Sequence, residues 1–587
     1  MRDHQPLRGD ATGVTDGARR LPWDETTDVV VVGLGAAGGG AAIEARASGA
    51  RVTVLDRFAG GGATAKSAGA IYFGGGTELQ RAAGYEDSPE NMFNYLKLET
   101  QDAVPESTLR SFCETSVENF EWLRRLGVPF PVSGKVVKAS LPADDCTLYF
   151  SGNELCPPYC DAATPAPRGH RPLGNGLTGH LTGAALLAGT TDAGADLRTY
   201  TRADRLVVDG SGEVIGIQLT EMPRWLAPMG EAMQSVIQYG GGMMRRTQPW
   251  LQRTLRALER AGTRRLLRAR RGVILSMGGY VFDSELMAER APDYARCSLR
   301  LGTAGDDGAG VRMGQAAGGV LGQMDRCSAP RFIDPPTAWW GGILVGRSGE
   351  RICNETLYGG KVGEYLIEEH DGRGTMVLDA ETMQAGRSQV FGGDTHMYQR
   401  IFGIINGWVA PVSAPTLDGL AAKMGIDATR LHQTVDEYNA GVQSGTDKFG
   451  KSSEHCSPIR VPPFYGIPLD NDSRLFPTPC LSLGGLRTDG ATSRVLGTDG
   501  APIDGLYAAG RTAVGVASQG YASGLSISDG IFAGRNAGRH AAGRKHTMVA
   551  VVGSSGRAAN DGQPTPETSN ASDSAPSVET SSDTQQA

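Results

Sequence analysis

The chain holds 587 residues, 61.7 kDa, with 40% hydrophobic residues, 21% charged residues and a formal net charge of −7. That length exceeds one ordinary core and predicts two domains, and the acidic balance excludes a basic footprint for nucleic acid. Nine cysteines are too sparse for a disulfide scaffold, Cys156 and Cys160 lack a second pair for zinc, and no run of 18 apolar residues is present to span a membrane. The composition therefore reads as a cytoplasmic protein with reduced thiols and no resident metal.

Residues 1–23 are polar and read as a loose N-terminus; Arg19 and Arg20 are followed by no apolar stretch of the kind a twin-arginine signal needs. The stretch at 28–56, DVVVVGLGAAGGGAAIEARASGARVTVLD, organises the rest of the chain. Four consecutive valines at 29–32 predict a strand buried on both faces. Gly33, Gly35 and Gly38 fit G-x-G-x-x-G, the Ala-rich run 36–47 predicts a helix, and residues 51–55 predict a second strand ending at Asp56. Gly33 permits the tight turn, Gly35 lets backbone N–H groups approach a pyrophosphate, Gly38 lets helix and strand pack closely, and Asp56 stands where a ribose hydroxyl is held. With glycine at 83 positions the hexad alone is weak; strand, turn, helix, strand and acid in the required order make it a dinucleotide site.

A second glycine-rich segment, GGGATAKSAGAIYFGGGT at 60–77, implies backbone lying against something flat or phosphorylated, with Thr64 and Ser67 able to donate hydroxyls. A nicotinamide domain needs no such loop, whereas two-dinucleotide-binding flavoproteins run one beside pyrophosphate and flavin, so FAD is favoured. Helical patterns come next over 89–126, with Phe93, Leu96, Leu109, Phe112, Phe120, Trp122 and Leu123 on the buried face. Residues 141–171 are Pro- and Cys-rich and irregular; Tyr149 and His170 are within reach of a ligand there, although a structural role is favoured for each. RLVVDGSGEVIGIQL at 205–219 predicts a hairpin.

Residues 222–271 form an unusual insertion with Trp225, Met229, Met243, Met244, Trp250 and many arginines, in which 248–267 predict a basic amphipathic helix. Such a face suits a membrane surface or a partner, or packs on its own protein. RGVILSMGG at 271–279 resumes a buried strand ending in paired glycines. Residues 326–465 read as an inserted substrate-capping unit, with helix-like spacing from Leu417 to Val435, and an active site is expected at its seam. The FAD-binding part returns with LGGLRTD at 483–489, PIDGLYAAG at 502–510 and GYASGLSISDGIFAGRNAG at 520–538. The start of that last helix offers N–H groups to the pyrimidine end of a flavin. Beyond Thr547 the Ser, Thr, Pro, Asp and Gly composition predicts a disordered tail.

With GAIYFGGGT (69–77), DSPEN (87–91), PAPRGH (165–170), NETLYG (354–359), LGGLR (483–487) and GYASG (520–524), the chain resembles the flavin-dependent 3-ketosteroid dehydrogenases of the fumarate reductase flavoprotein superfamily, and especially the Δ4 branch. The resemblance covers roughly 26–545 with a gap near 222–265. It implies an α/β fold: a Rossmann-like two-dinucleotide-binding FAD domain (26–325 and 466–546) carrying an inserted α+β capping domain (326–465), flanked by a flexible N-terminus (1–25) and a tail (547–587).

The implied reaction removes the C4 proton and C5 hydride of a saturated 3-ketosteroid, with flavin taking the hydride. The protein must supply a base at C4 and polarise the C3 carbonyl. Tyr358, Tyr521 and Ser523 match the family's active-site tyrosines and serine, and backbone N–H groups near Gly524 suit the carbonyl oxygen. Because a phenol ionises near pH 10 and an alcohol higher still, the resemblance implies a relay in which Ser523 takes the proton with Tyr521 assisting, while Tyr358 places the steroid or relays the proton. FAD contacts are expected from Gly33, Gly35, Ala36, Ala37, Gly38, Asp56, Arg57, Gly62, Ala63, Thr64, Ser67 and Gly69, then from Gly278, Gly279, Gly510, Arg511, Gly524, Ser526 and Ile527.

Departures weigh the alternatives. Fumarate reductases carry a histidine just before the glycine pair that here follows Leu483, where this chain has Leu481, Ser482 and Leu483. Succinate dehydrogenases attach FAD through a histidine in the loop matching 64–69, which has none here, so noncovalent FAD is expected. A 3-ketosteroid Δ1-dehydrogenase is the nearest rival, and another superfamily oxidoreductase or a noncatalytic flavin-binding paralogue stands behind it. The partners implied are a steroid substrate and an electron acceptor of unknown identity, with membrane association open through 222–271.

Overall fold

The computed structural model describes residues 4–8, 22–239, 247–392, 397–473 and 475–544. The C-terminal tail, Arg19 and Arg20, and Met243 and Met244 lie outside these residues.

The valine run forms the middle of a parallel sheet. Strand Glu25–Val32 pairs with Val52–Leu55 on one side and with the second half of Thr263–Leu275 on the other. Asp196–Arg198 adds beyond Val52–Leu55, and Pro502–Ala508 adds beyond Thr263–Leu275. Val29, Val30 and Val31 are fully buried: Val29 and Val31 share a cluster with Ala41, Ala45, Ala537 and Ala541 of two helices, and Val30 one with Leu206, Ile217 and Met313 on the other face.

The helix Ala36–Ala47 lies against the long C-terminal helix Leu525–Gly543. Their backbones meet through small residues: a Cβ on Gly534 would stand 2.1 Å from the Ala37 carbonyl oxygen and one on Gly538 2.2 Å from that of Ala41. The two helices run parallel, and the C-terminal one starts more than a turn before the level of Ala37, where Gly530 lies against the first helix.

The expected hairpin is present as Thr201–Val208 and Val214–Glu221. The insertion differs from expectation. Its basic helix, Gln248–Arg260, ends at Ala261 and Gly262, and the arginine run beyond it is the first half of strand Thr263–Leu275, antiparallel to Val214–Glu221. Periodicity misled here because the leucines and arginines at 263–267 satisfy a helical face, while the ladder with 216–221 places Leu267 in the core and lets Arg265 pair with Glu221 at 2.9 Å. Part of the supposedly loose N-terminus is also ordered: Leu7–Arg8 pairs in parallel with Val207 and Val208.

A second, four-stranded sheet runs Ile343–Val345, Thr375–Leu378, Phe464–Pro468 and Val412–Ala414 in spatial order. Helices Leu417–Met424 and Ala428–Ser444 cover it, burying Leu420, Leu431 and Val435 as the helical spacing predicted. A third small sheet joins Ile71–Tyr72, Gly169–His170, Leu148–Phe150 and Val136–Lys138, so the irregular segment 141–171 contributes two strands.

Candidate active site

One large cavity of about 1160 Å³ runs from the glycine turn of the parallel sheet to the loop at 330–335 and the segments around Phe402 and Phe476. Sites for single small ligands typically span about 300–1,000 Å³, so this volume suits more than one bound molecule.

At one end it is lined by Gly33, Gly35, Ala36, Ala37, Asp56 and Arg57, by Gly62, Ala63, Thr64 and Ser67, and by Gly278, Gly510 and Arg511. Helix Ala36–Ala47 begins at Gly35 with no side-chain cap, so its first N–H groups and the positive end of its dipole are offered to the cavity. Thr64 Oγ1 accepts from the Ala36 N–H at 3.0 Å and joins the two glycine-rich segments. Asp56 is buried, accepts from the N–H groups of Leu34 at 2.7 Å and Phe58 at 2.9 Å, and is pushed above its ordinary range by burial.

Three expected contact residues do not line the cavity: Gly38, Gly69 and Gly279. Each serves it from behind. A Cβ on Gly38 would stand 1.8 Å from the Gly33 carbonyl oxygen, which is the close helix–strand packing its position predicted. Gly69 has φ +94° with Thr178 against it, and the Gly279 N–H is taken by Asp306 at 2.8 Å. Arg57 lines the cavity but is held by Glu259 at 2.5 Å and Asp307 at 3.0 Å, so its main work is to fasten the insertion helix to the sheet.

Toward the middle, Tyr358, Tyr521, Ser523, Gly524, Ser526 and Ile527 line the same cavity, although Tyr358 comes from a loop more than 150 residues earlier. Gly524 has φ +89° and caps the helix Leu525–Gly543, and a Cβ there would stand 2.7 Å from the Ile71 nitrogen. Only glycine fits, and the N–H groups of Gly524 and Ser526 at this helix start face the phenol of Tyr521. The Tyr358 N–H donates to Asn153 Oδ1 at 2.7 Å, and its ring meets Phe332 edge-on at 6.1 Å.

The hydroxyl of Ser523 stands against the phenols of Tyr149 and Tyr358. Burial pushes both phenols upward, and for Tyr358 the neighbouring Tyr521 and Tyr149 add to that; the serine hydroxyl opposes it without reversing it. Burial also raises Tyr521, against the opposing charge of Arg511. The cluster is thus a set of neutral hydroxyls. Tyr149, favoured by sequence as structural, has a buried oxygen without a full hydrogen-bond partner among the described residues.

The far end is lined by the apolar Leu141, Phe332, Pro335, Phe402 and Phe476, with Ser140, Arg331, Asp334, Gln399 and Asn406 as its polar residues. Sequence reading named none of these lining residues, because they come from loops with no periodic signal.

The strings PAPRGH and DSPEN build a wall rather than a ligand contact. Arg168 pairs with Asp87 at 2.8 Å with both side chains fully buried. His170 lies between Thr77 Oγ1 at 2.9 Å and the Arg168 carbonyl oxygen at 3.0 Å, and burial brings it down to about 4, so it is neutral and structural. In the NETLYG loop the buried Glu355 holds Arg351 at 2.7 Å and Lys451 at 2.8 Å, three residues before Tyr358.

A cavity bounded by two helix starts and two glycine-rich loops has the room and the N–H donors to hold a dinucleotide. The model of the family described as FAD binding domain matches residues 28–528. The chain belongs to that family.

Among FAD binding domain proteins it is 34% identical, over 84% of its length and 94% of the relative's, to a 3-oxo-5-alpha-steroid 4-dehydrogenase of Comamonas testosteroni. It is 25% identical, over 84% of its length and 94% of the relative's, to a 3-oxosteroid 1-dehydrogenase of Mycobacterium tuberculosis. The crystal structure of the 3-ketosteroid-delta4-(5alpha)-dehydrogenase of Rhodococcus jostii RHA1 in complex with 4-androstene-3,17-dione superimposes with a TM-score of 0.75 at 33% identity, covering 92% of this chain and all of that one. No described helix is long and apolar enough to cross a membrane.

Proposed function

We propose that the chain is an FAD-dependent 3-ketosteroid dehydrogenase that converts a saturated 3-ketosteroid into its 4-ene-3-one. The similarity to the Comamonas 4-dehydrogenase carries this reading: 34% identity, against 25% to the 1-dehydrogenase.

Bound FAD supplies the hydride acceptor for the hydrogen on C5. The remaining work falls to this chain. The apolar end of the cavity, at Leu141, Phe332, Phe402 and Phe476, suits a rigid hydrocarbon skeleton. The N–H groups at the start of helix Leu525–Gly543, Gly524 first, receive the C3 carbonyl oxygen and stabilise the enolate charge that develops as C4 loses its proton. Ser523 Oγ takes the C4 proton while its own proton passes to a neighbouring phenol, which gives up its proton in turn toward solvent, and the C4–H electron pair becomes the C4=C5 bond as hydride leaves C5. Tyr521 assists Ser523, and Tyr358 aligns the steroid or passes the proton on. Because the phenols are held neutral, they relay a proton rather than act as standing phenolates.

We read residues 326–465 as the substrate-capping domain over FAD-binding parts 26–325 and 466–546, and FAD as noncovalently held. Denaturing the yellow holoprotein in acid is expected to release all of the flavin into the supernatant; flavin left on the precipitate overturns that attachment. Trp225 and Trp250 of the insertion are 77% and 64% exposed, which supports a peripheral contact with a membrane or protein partner.

Anaerobic mixing of the oxidised protein with 5α-androstane-3,17-dione tests the activity. Bleaching of the flavin with formation of the 4-ene supports it. A 1-ene product reassigns the regiochemistry, and no bleaching by 5α- or 5β-ketosteroids overturns the steroid reading.

A further inference from the structure

Each turnover of the proposed reaction leaves one proton behind, because C5 gives up hydride and C4 gives up a proton to a cluster of neutral hydroxyls. Ser523, Tyr358, Tyr521 and Tyr149 cannot store that proton, so the buried site needs a way out for it.

A second, much smaller cavity, about 10 Å³ and so the size of one water, adjoins the cluster. Tyr521 lines both cavities. The Tyr358 ring packs on Gly360, another wall of the small one, where a Cβ would stand 2.6 Å from the ring. Its polar lining includes Glu99, Ser328, Lys361 and Glu364. The Ser328 hydroxyl is buried and has no hydrogen-bond partner among the described residues.

Glu99 is itself buried, at the end of helix Pro89–Thr100. Its Oε2 accepts from Asn153 Nδ2 at 2.8 Å and from the Tyr95 hydroxyl at 3.1 Å, and the same Asn153 receives the Tyr358 N–H. Lys361 and Glu364 form a 2.6 Å ion pair whose side chains are 12% and 23% exposed, so the far wall of the small cavity reaches solvent.

We propose that the proton taken from C4 leaves by way of Tyr521 and this small cavity to the carboxylate of Glu99, and from there to solvent past Lys361 and Glu364. The inference rests on the ketosteroid reading above. Glu99 acts through Tyr521 and touches neither steroid nor flavin. In the transfer, each hydroxyl gives up one proton as it takes another, the last goes to a carboxylate oxygen of Glu99 and is then lost to water, with no change of oxidation state. Burial pushes Glu99 up to about 7, opposed by Asn153, Lys361 and Tyr95, while Glu154 adds to it. Tyr72, Tyr159 and Tyr358 also face it and stay neutral, raised by burial. A carboxyl at that value accepts and releases protons at neutral pH.

The test tracks flavin reduction by 5α-androstane-3,17-dione against pH in the holoenzyme. Wild type is expected to speed up as pH rises through about 7, where Glu99 becomes the ionised acceptor. Glu99→Gln should lose that inflection and fall about tenfold or more at pH 8, with FAD content and steroid affinity retained, and Glu99→Asp should restore the inflection. Independently of turnover, the carboxylic-acid infrared band that titrates near neutrality in the oxidised holoenzyme should vanish in Glu99→Gln. If Glu99→Gln does not fold, Lys361→Met should shift the inflection upward, since Lys361 favours the charged carboxylate. Wild-type bleaching with a pH profile and infrared titration unmoved by these changes overturns the exit route and leaves the steroid reading standing. No bleaching in wild type overturns both.

Discussion

Ser523→Ala slows flavin reduction by a 5α-3-ketosteroid by about 10²–10⁴-fold, the range a positioned general base contributes, and leaves FAD bound. Ser523 sits where the start of helix Leu525–Gly543, Tyr358 and Tyr149 converge on the cavity, so removing its oxygen takes away the acceptor for the C4 proton without opening the fold. Stopped-flow reduction under anaerobic conditions measures the rate, and perturbation of the flavin spectrum by the 4-ene product measures steroid affinity. Tyr521→Phe is expected to slow the same step with affinity retained. A Ser523→Ala enzyme that reduces its flavin at the wild-type rate removes serine from the mechanism and turns attention to the phenols.

Glu355→Gln is the substitution outside the cavity with the largest expected cost, about 3–5 kcal/mol. Its carboxylate is fully buried and answers two buried cations, Arg351 and Lys451, and it also accepts from the Leu344 N–H at 2.8 Å. An amide removes the charge that faces Lys451 and leaves Arg351 with Asp447 alone. Burial alone would raise Glu355, but Lys451 and Arg351 outweigh it and bring it to about 2. A carboxyl depressed in the folded state contributes stability that is fully present above its unfolded value of about 4.3 and is lost as pH falls toward about 2. Urea unfolding of the holoprotein should therefore show wild-type stability falling through that window, and Glu355→Gln should be weaker at pH 7 with a flatter acid dependence. Because the loop runs from Glu355 directly to Tyr358, the variant is also expected to reduce its flavin more slowly. Equal stability of the two proteins at pH 7 overturns the ion-pair account.

His170 illustrates how far a residue type carries by itself. A histidine beside a glycine-rich loop invites a functional reading, yet its neighbours Thr77 and the Arg168 carbonyl satisfy both ring nitrogens in a buried wall. The reverse holds for Glu99, which looks in sequence like one more acid on an amphipathic helix. Its chemistry comes from Tyr95 one turn before it and from Asn153 and Lys361, which lie in separate segments of the chain. The insertion shows the same limit for secondary structure: residues 263–267 carry apolar spacing that fits a helix, and only the available ladder on Val214–Glu221 made them a strand.

What the sequence determined by itself was the dinucleotide turn, the succession of strand, helix and strand around it and the glycine-rich loops. Each of these arises from local backbone chemistry: buried β-branched runs, glycines where φ is positive or another backbone passes close, and a helix start left without a cap. The tertiary structure alone decided that Gly38, Gly69 and Gly279 support the cavity from behind, that Arg57 is spent on Glu259 and Asp307, and that Tyr521 joins the main cavity to a second one lined by Glu99. Those facts depend on which distant segments share a wall. Burial and charge at such a wall are set by every neighbour at once, and no spacing within one segment encodes them.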